Sequence, residues 1–314
     1  MKPKNFNSGF APIGLFTFKR PEHTRRTLEA LAGNTEFLDS PLFVFCDGAR
    51  NEGEEEGVEI TRRIIRDWPH PNKIIMERDK NWGLANSVIA GVTDLCERFG
   101  RVIVVEDDLI VSPVFLNYMN TALDKYVDEP KVMQISGYMF PVEKNISNQA
   151  IMLPITSTWG WATWASTWEK FGAHENKVSE LFTNTKTSRS FDLSDSYPYT
   201  RRLRQQIDDK SDSWGIRWYW SVFNEGGNVV YPPESLVQNI GNDGSGTHCT
   251  VEKNQGEFQS LNKNIGIIFP KDTSISFEEF DKVKKYLRSE NSIFLRGIAW
   301  LRTKLKKVFG GAVS

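Results

Sequence analysis

From residue 11 the chain alternates between short, continuous apolar runs and longer segments in which apolar residues recur every three or four positions. Residues 11–18 form the first run. Arg20-Pro21 follows, and Pro suits the first turn of a helix that runs to about residue 32 with Gly33 as its stop. Residues 41–46 make a second run ending at Asp47-Gly48, residues 73–76 a third and residues 101–105 a fourth. Between them, residues 53–67 are charged, with Val58, Ile60, Ile64 and Ile65 as a modest apolar stripe, and residues 82–99 carry a stronger helical pattern. Strands alternating with helices imply βαβ units and a mostly parallel sheet, whose strands are apolar throughout because helices cover both faces. The first half therefore predicts an α/β fold of nucleotide-binding type.

From about residue 157 the pattern changes. Trp159, Trp161, Trp164, Trp168, Trp214, Trp218 and Trp220 fall in two clusters separated by a polar stretch, residues 182–213, with little apolar periodicity. This half predicts a mixed region built on the edge of the sheet, with most of the tryptophans in packing roles. Residues 276–290 predict a charged helix and residues 291–309 a basic amphipathic one.

Composition narrows the function. Among 314 residues, Lys plus Arg is 39 and Asp plus Glu is 40, so the formal charge of −1 provides no field to attract nucleic acid. Hydrophobic residues at 39% and aromatics at 12% exclude disorder for most of the chain. Cys46, Cys96 and Cys249 lie far apart without a CxxC pair, so neither a zinc ribbon nor a disulfide framework is expected, and a reducing compartment fits. The first residues lack the apolar core of a signal peptide, and no stretch reaches the roughly 18 apolar residues of a membrane span. The expectation is a cytoplasmic protein with at most peripheral membrane contact. The first strand-to-helix turn contains neither GxGxxG nor GxxxxGK[ST], which removes the main support for dinucleotide and P-loop sites.

The densest chemistry follows the fourth strand. Glu106, Asp107 and Asp108 place three consecutive acids at the carboxyl end of a buried parallel strand, where open α/β sheets bind ligands. Such carboxylates repel one another, and a divalent cation is their simplest stabilising partner; hard oxygen ligands suit Mg²⁺ or Mn²⁺, which would bridge a substrate diphosphate. The plainer alternative is an acidic turn capping the helix that starts near Ser112-Pro113.

At these residues the sequence resembles the glycosyltransferases of the GT-A fold, whose DxD-like motif holds the metal of a nucleotide-sugar. The run from Val104 to Pro113, with Phe115 and Tyr118 after it, is most similar to the N-acetylglucosaminyltransferase that initiates complex N-glycans and to bacterial sugar transferases of surface-polysaccharide pathways. The likeness covers about residues 10–250. It includes Phe18-Lys19-Arg20-Pro21, the Asp47 strand end, Asn81-Trp82-Gly83-Leu84-Ala85-Asn86, the motif Trp159-Gly160-Trp161-Ala162-Thr163-Trp164, residues 212–218, and Asn239-Ile240-Gly241 leading to Gly246-Thr247-His248. The resemblance implies a GT-A type nucleotide-sugar-binding fold: a mostly parallel central sheet flanked by helices, with a C-terminal helical tail. Residues 1–275 would form the catalytic domain, divided into a nucleotide-binding half (1–110) and a half facing acceptor and donor sugar (111–275), and residues 276–314 the tail.

The resemblance also implies roles. Asp108 binds metal directly, while Glu106 and Asp107 orient the ribose and the metal's water shell. Asp47 recognises the uracil edge or the ribose, and a carboxylate can indeed accept the base N–H; a turn formed with Gly48 is its alternative. Arg20 has a fixed charge that can pair with a phosphate or simply form a surface ion pair. His248 completes the metal shell, neutral imidazole being a suitable Mn²⁺ ligand, unless it is a plain surface residue. An inverting transfer needs a base for the acceptor hydroxyl. Asp212 is placed in that role, with Asp208 and Asp209 as competitors; the chain departs from many relatives in carrying Gly215 where an acid follows the Trp. Gly160 and Trp161 would give the donor sugar a close backbone approach and a flat apolar wall.

The expected activity is a metal-dependent, inverting transfer of a sugar from a nucleotide-sugar, UDP-linked by the resemblance, to a glycan or lipid-linked glycan acceptor in surface-glycan synthesis. Two alternatives stay open: a nucleotidyltransferase that makes the activated sugar, although residues 16–21 lack its Gly-rich basic loop, and a non-catalytic carbohydrate-binding protein. Residues 291–314 hold Arg296, Arg302, Lys304, Lys306 and Lys307 and no acid. Phe294, Ile298, Leu301, Leu305 and Val308 make one apolar helical face, so the tail is expected to dock on an anionic cytoplasmic membrane surface or else to pack on the protein.

Overall fold

The computed structural model describes residues 9–143, 148–241, 261 and 266–291. His248 and residues 292–314, which carry the expected amphipathic tail helix, lie outside the described residues. The first half runs β1 (Ile13–Thr17), α1 (Pro21–Ala32), β2 (Leu42–Cys46), α2 (Glu52–Asp67), β3 (Lys73–Glu77), α3 (Leu84–Phe99) and β4 (Arg101–Glu106). These elements follow the apolar periodicity closely, and Pro21 opens α1 as expected. The helix expected from residue 82 starts at Leu84, because Gly83 takes φ +78°, outside the helical region.

The second half contains β5 (Leu109–Val111), α4 (Phe115–Lys125), β6 (Val132–Ser136), β7 (Ile151–Leu153), β8 (Trp161–Trp164) and the short α5 (Ala165–Trp168). It continues with α6 (Val178–Thr183), α7 (Thr185–Phe191), α8 (Tyr199–Ile207), α9 (Trp214–Glu225), β9 (Asn228–Tyr231), β10 (Val237–Asn239) and α10 (Phe277–Glu290). The polar stretch from residue 182 is thus helical over α7 and α8. Its helices are short and bury few residues each, Phe191 in α7 and Leu203 in α8, which is why no periodicity stands out.

Eight strands form one sheet in the order β3-β2-β1-β4-β8-β6-β9-β7. The first four are parallel neighbours, β6 and β9 are parallel, and the remaining three pairings are antiparallel. The chain therefore has the expected α/β class, a mostly parallel central sheet flanked by helices, and its second half extends the sheet from the β4 edge. No helix among the described residues is long and apolar enough to cross a membrane.

Alternation along the strands assigns each apolar residue to one of two faces. Ile13, Leu15, Val44, Ile103 and Val105 pack with Leu28 and Leu31 of α1 and Leu116 and Met119 of α4. Phe16, Phe43, Phe45, Val102 and Val104 pack with Val88, Val92 and Leu95 of α3 and with Trp161, Trp168, Trp214 and Trp218. The tryptophans are core: Trp161 stacks on Trp214 with centroids 5.2 Å apart, Trp168 meets Trp218 at 5.1 Å, and Trp218 donates Nε1–H to Gln134 at 2.8 Å. Burying each such ring stabilises by roughly 2–3 kcal/mol. A third apolar group, including Phe191, Tyr219, Trp220 and Tyr231, is closed by Val283 and Leu287 of α10.

Candidate active site

β4 ends at Glu106 and β5 begins at Leu109, so Asp107 and Asp108 form the turn between two strands. Each is tied down by its backbone. The Asp107 carbonyl accepts from Thr27 Oγ1 of α1 at 2.8 Å, and the Asp108 carbonyl accepts the N–H of Ile240, just after β10, at 2.9 Å. β5 and β10 pair antiparallel with Asn239 opposite Leu109, and this two-stranded ribbon brings Gly241 against Asp108. A Cβ on Gly241 would lie 2.2 Å from Asp108 Oδ2 and 3.0 Å from Arg20 Nη1, so only glycine fits without displacement of the acid.

Arg20, one residue before α1, bridges the acids: its guanidinium donates to Asp107 and, at 3.0 Å, to Asp108 Oδ2. The Phe18 N–H adds a bond to Asp107 Oδ2 at 3.2 Å. Among the described residues Arg20 is the one cation bonded to these acids, and Glu106 stands beside them with no bond to it. Burial first, then Asp108 and Asp107, push the Glu106 carboxyl above the usual carboxylate range. Asp107 is also raised by burial, with Arg20 opposing. Asp108 Oδ1 is buried and accepts no hydrogen bond from the described residues. An orphaned carboxylate oxygen inside a protein costs on the order of 1–3 kcal/mol or more, and it calls for a partner.

Among the described residues no group of three or more His, Cys, Asp or Glu could hold a metal ion by itself. The Asp108 oxygen nevertheless fits a cation of the Mg²⁺ or Mn²⁺ kind, which takes one or two carboxylates and fills its remaining positions with phosphate oxygens and water. Gly241 stands against the other oxygen of Asp108, Oδ2, and in the sequence His248 follows seven residues further on.

Asp47, at the end of β2, is differently placed. Oδ1 accepts from the N–H groups of Gly48 at 3.0 Å and Trp82 at 2.8 Å, and Oδ2 from that of Gly83 at 3.0 Å. The carboxylate staples the β2 end to the loop before α3. On the other side of that loop, Asp212 Oδ2 lies 3.3 Å from where a Cβ on Gly83 would stand, so the fold brings Asp212, exposed ahead of α9, to the strand ends. Asp208 and Asp209 sit exposed at the end of α8, Asp208 paired with Lys210 at 3.0 Å. A Cβ on Gly215 would meet Thr158 Cγ2 at 2.6 Å, which accounts for the missing acid at that position.

Gly160 adopts φ +59°, and a Cβ there would touch Val237 and Phe115 at 2.9 and 3.1 Å; β10 and α4 close over it. Trp161 corrects the expected sugar wall. It is fully buried, with Trp214, Trp168 and Trp218 around its ring, so it opens no face to a ligand. Strand alternation is the reason: Trp161 is the first residue of β8, paired with Val104, and points into the core, whereas Trp159 precedes the strand and stays half-buried in edge contact with Tyr138 at 4.8 Å. Sequence reasoning did not single out Thr27 or Tyr138, and it named Gly241 only within a motif. For Gly241 the signal was present in Asn239-Ile240-Gly241, a possible strand end, but its partner Asp108 is 133 positions away.

No family model matches the chain, and no curated protein matches it in sequence. Solved structures similar to it include a mannosyltransferase from Pyrobaculum calidifontis in complex with GDP-Man and Mn²⁺ (9% identity, TM-score 0.35, covering 71% of this chain and 78% of that one). Mouse xyloside xylosyltransferase 1, in its apo form, is similar at 9% identity and TM-score 0.36, covering 68% and 81%. A 4-diphosphocytidyl-2C-methyl-D-erythritol synthase from Anaerococcus prevotii is similar at 10% identity and TM-score 0.31, covering 62% and 86%. Likenesses at this level carry no inference about substrate or mechanism.

Proposed function

We propose that the chain is a metal-dependent glycosyltransferase of GT-A type, transferring a sugar with inversion from a UDP-linked donor to a glycan or lipid-linked glycan acceptor. The observation that carries this reading is the buried Asp108 Oδ1 at the carboxyl end of β4, without a hydrogen-bond partner among the described residues, next to Glu106 and Asp107 and with Gly241 against the carboxylate's other oxygen. Asp108 would hold Mn²⁺ or Mg²⁺, with His248 as a further ligand and Glu106 and Asp107 orienting the ribose and bound water. When bound, the cation neutralises the charge that develops on the diphosphate leaving group.

The chain's own residues do the rest. Arg20 ties Asp107 and Asp108 together through its guanidinium and still has N–H groups for a donor phosphate, since two carboxylate contacts leave part of its five-donor fork free. Asp47 shapes the loop at residues 81–83 and presents the remaining lone pairs of its carboxylate to the nucleoside. Asp212 takes the proton of the acceptor hydroxyl, and its exposure keeps it reachable by an incoming glycan. In this reading residues 1–275 are the catalytic unit, and the basic tail that follows docks on an anionic cytoplasmic membrane, where a lipid-linked acceptor would be found.

The test is a panel of nucleotide-sugars screened for thermal stabilisation and slow donor hydrolysis with Mn²⁺ and with EDTA. Metal-dependent stabilisation by UDP-sugars is expected; binding unaffected by EDTA would overturn the metal assignment. Turnover of UTP with a sugar 1-phosphate would move the chain to the nucleotidyltransferases. For the tail, a form lacking residues 291–314 is expected to lose co-sedimentation with anionic liposomes, and equal binding by both forms would reject the membrane role.

A further inference from the structure

A depression of about 540 Å³ lies at the start of α3, lined by Asn81, Trp82, Asn86, Ile89 and Ala90. Trp82 is 50% exposed, in contrast to the buried tryptophans of the core. It is nonetheless held in place. Its N–H donates to Asp47 Oδ1 at 2.8 Å, its carbonyl accepts from Asn86 Nδ2 at 2.9 Å, and the Arg78 guanidinium lies 3.8 Å from its ring centroid, itself anchored on Ser87 Oγ at 2.5 Å. An exposed indole fixed in this way loses little freedom when something stacks on it, which is the advantage of a preorganised binding surface.

The lining also specifies the ligand. Asn81 gives its amide nitrogen to Gly48 O at 2.8 Å and Asn86 gives its own to Trp82 O. Both side chains are thereby oriented, and their amide oxygens remain as acceptors for hydroxyl donors. None of the five lining residues is ionisable, and the charges next to them, Arg78 and Asp212, are of opposite sign, which suits a neutral occupant. An indole, two aliphatic side chains and two amide oxygens match a pyranose, which has an apolar C–H face and a rim of hydroxyls. Asp212 stands on the neighbouring Gly83.

We infer that Trp82 and Asn86 form a saccharide subsite that holds a pyranose of the acceptor beside Asp212. The word acceptor rests on the glycosyltransferase reading; the saccharide contact itself does not. Trp82→Ala keeps the backbone bond to Asp47, so the variant is expected to fold, which circular dichroism and the melting temperature check. The probes are methyl pyranosides of glucose, galactose, mannose and N-acetylglucosamine, and chitobiose, followed by ligand-observed saturation-transfer NMR on the full chain. At least one should bind the wild type and be weakened tenfold or more by Trp82→Ala, and less by Asn86→Ala, while the affinity for UDP with Mn²⁺ stays within twofold. No saccharide signal in the wild type, or equal signals in wild type and Trp82→Ala, would overturn the subsite. A loss of uridine or UDP affinity in Trp82→Ala would overturn it too, by assigning the indole to the nucleobase. Absence of any metal-dependent nucleotide binding in the wild type would instead strike the glycosyltransferase reading and leave the glycoside result to be judged by itself.

Discussion

Asp47 and Asp108 begin as the same kind of residue, an acid just beyond the carboxyl end of a buried parallel strand, and the fold treats them in opposite ways. Around Asp47 the chain supplies three backbone N–H groups, and both carboxylate oxygens are occupied. Around Asp108 it supplies one arginine contact to Oδ2, two neighbouring acids and a glycine, and Oδ1 is left with nothing. The first is a staple that stabilises a loop. The second is a destabilised group whose Oδ1 has no partner among the described residues and is suited to a cation. An acid at a strand end is therefore not by its position a ligand; what distinguishes the two is whether the surrounding backbone donors point at it.

Substitutions at four positions test this contrast, given from the largest expected effect to the smallest. Asp108→Asn should abolish transfer and metal-dependent nucleotide binding while the melting temperature moves by no more than about 3 °C, because the change relieves repulsion among the acids. Near-normal turnover at moderate Mn²⁺ would remove Asp108 from the site. Asp212→Asn should lower the chemical step by about 10²–10⁴ with donor affinity retained, the effect of a lost general base; if Asp208→Asn or Asp209→Asn is the inactive form, the base lies on α8 instead. Asp47→Ala leaves three N–H groups without their acceptor and should cost roughly 2–4 kcal/mol in urea unfolding, discounted because the loop is partly open to water. Asp47→Asn, which keeps one oxygen, should cost about 1 kcal/mol. Asp47 is also proposed to meet the nucleoside, so some loss of nucleotide affinity is expected; if both variants unfold like the wild type and lose only that affinity, Asp47 is a ligand and not a staple. Gly241→Ala should displace the Asp108 carboxylate by roughly 1 Å, weakening Mn²⁺ affinity severalfold for about 1 kcal/mol of stability, measured by calorimetric titration.

The contrast also marks how much of the site was legible. Glu106-Asp107-Asp108 could be found because a charged triplet directly after four β-branched or aliphatic residues is a local pattern. Trp161 could not be placed correctly from the motif around it. Residues 159 and 161 look alike in the chain, and only the point where β8 begins decides which of them turns inward. Asp47 was visible as a strand terminus but not as a staple, since its donors on residues 82 and 83 arrive 35 and 36 positions later.

The sequence by itself determined the α/β class, the positions of β1 to β4 and α1 to α3, and the strand end at which the acids gather. All of these follow from hydrophobic periodicity and turn chemistry, which act over a few residues. Only the tertiary structure decided that β8 pairs antiparallel with β4, that the β5–β10 ribbon sets Gly241 on Asp108, that Arg20 reaches across 87 and 88 positions to both acids, and that Asp212 comes to rest on Gly83. Those contacts are fixed by strand pairing and by the packing of α9 and its tryptophans on the sheet. Their partners are chosen by which surfaces fit once the core has closed, and no local signal in the chain records that choice.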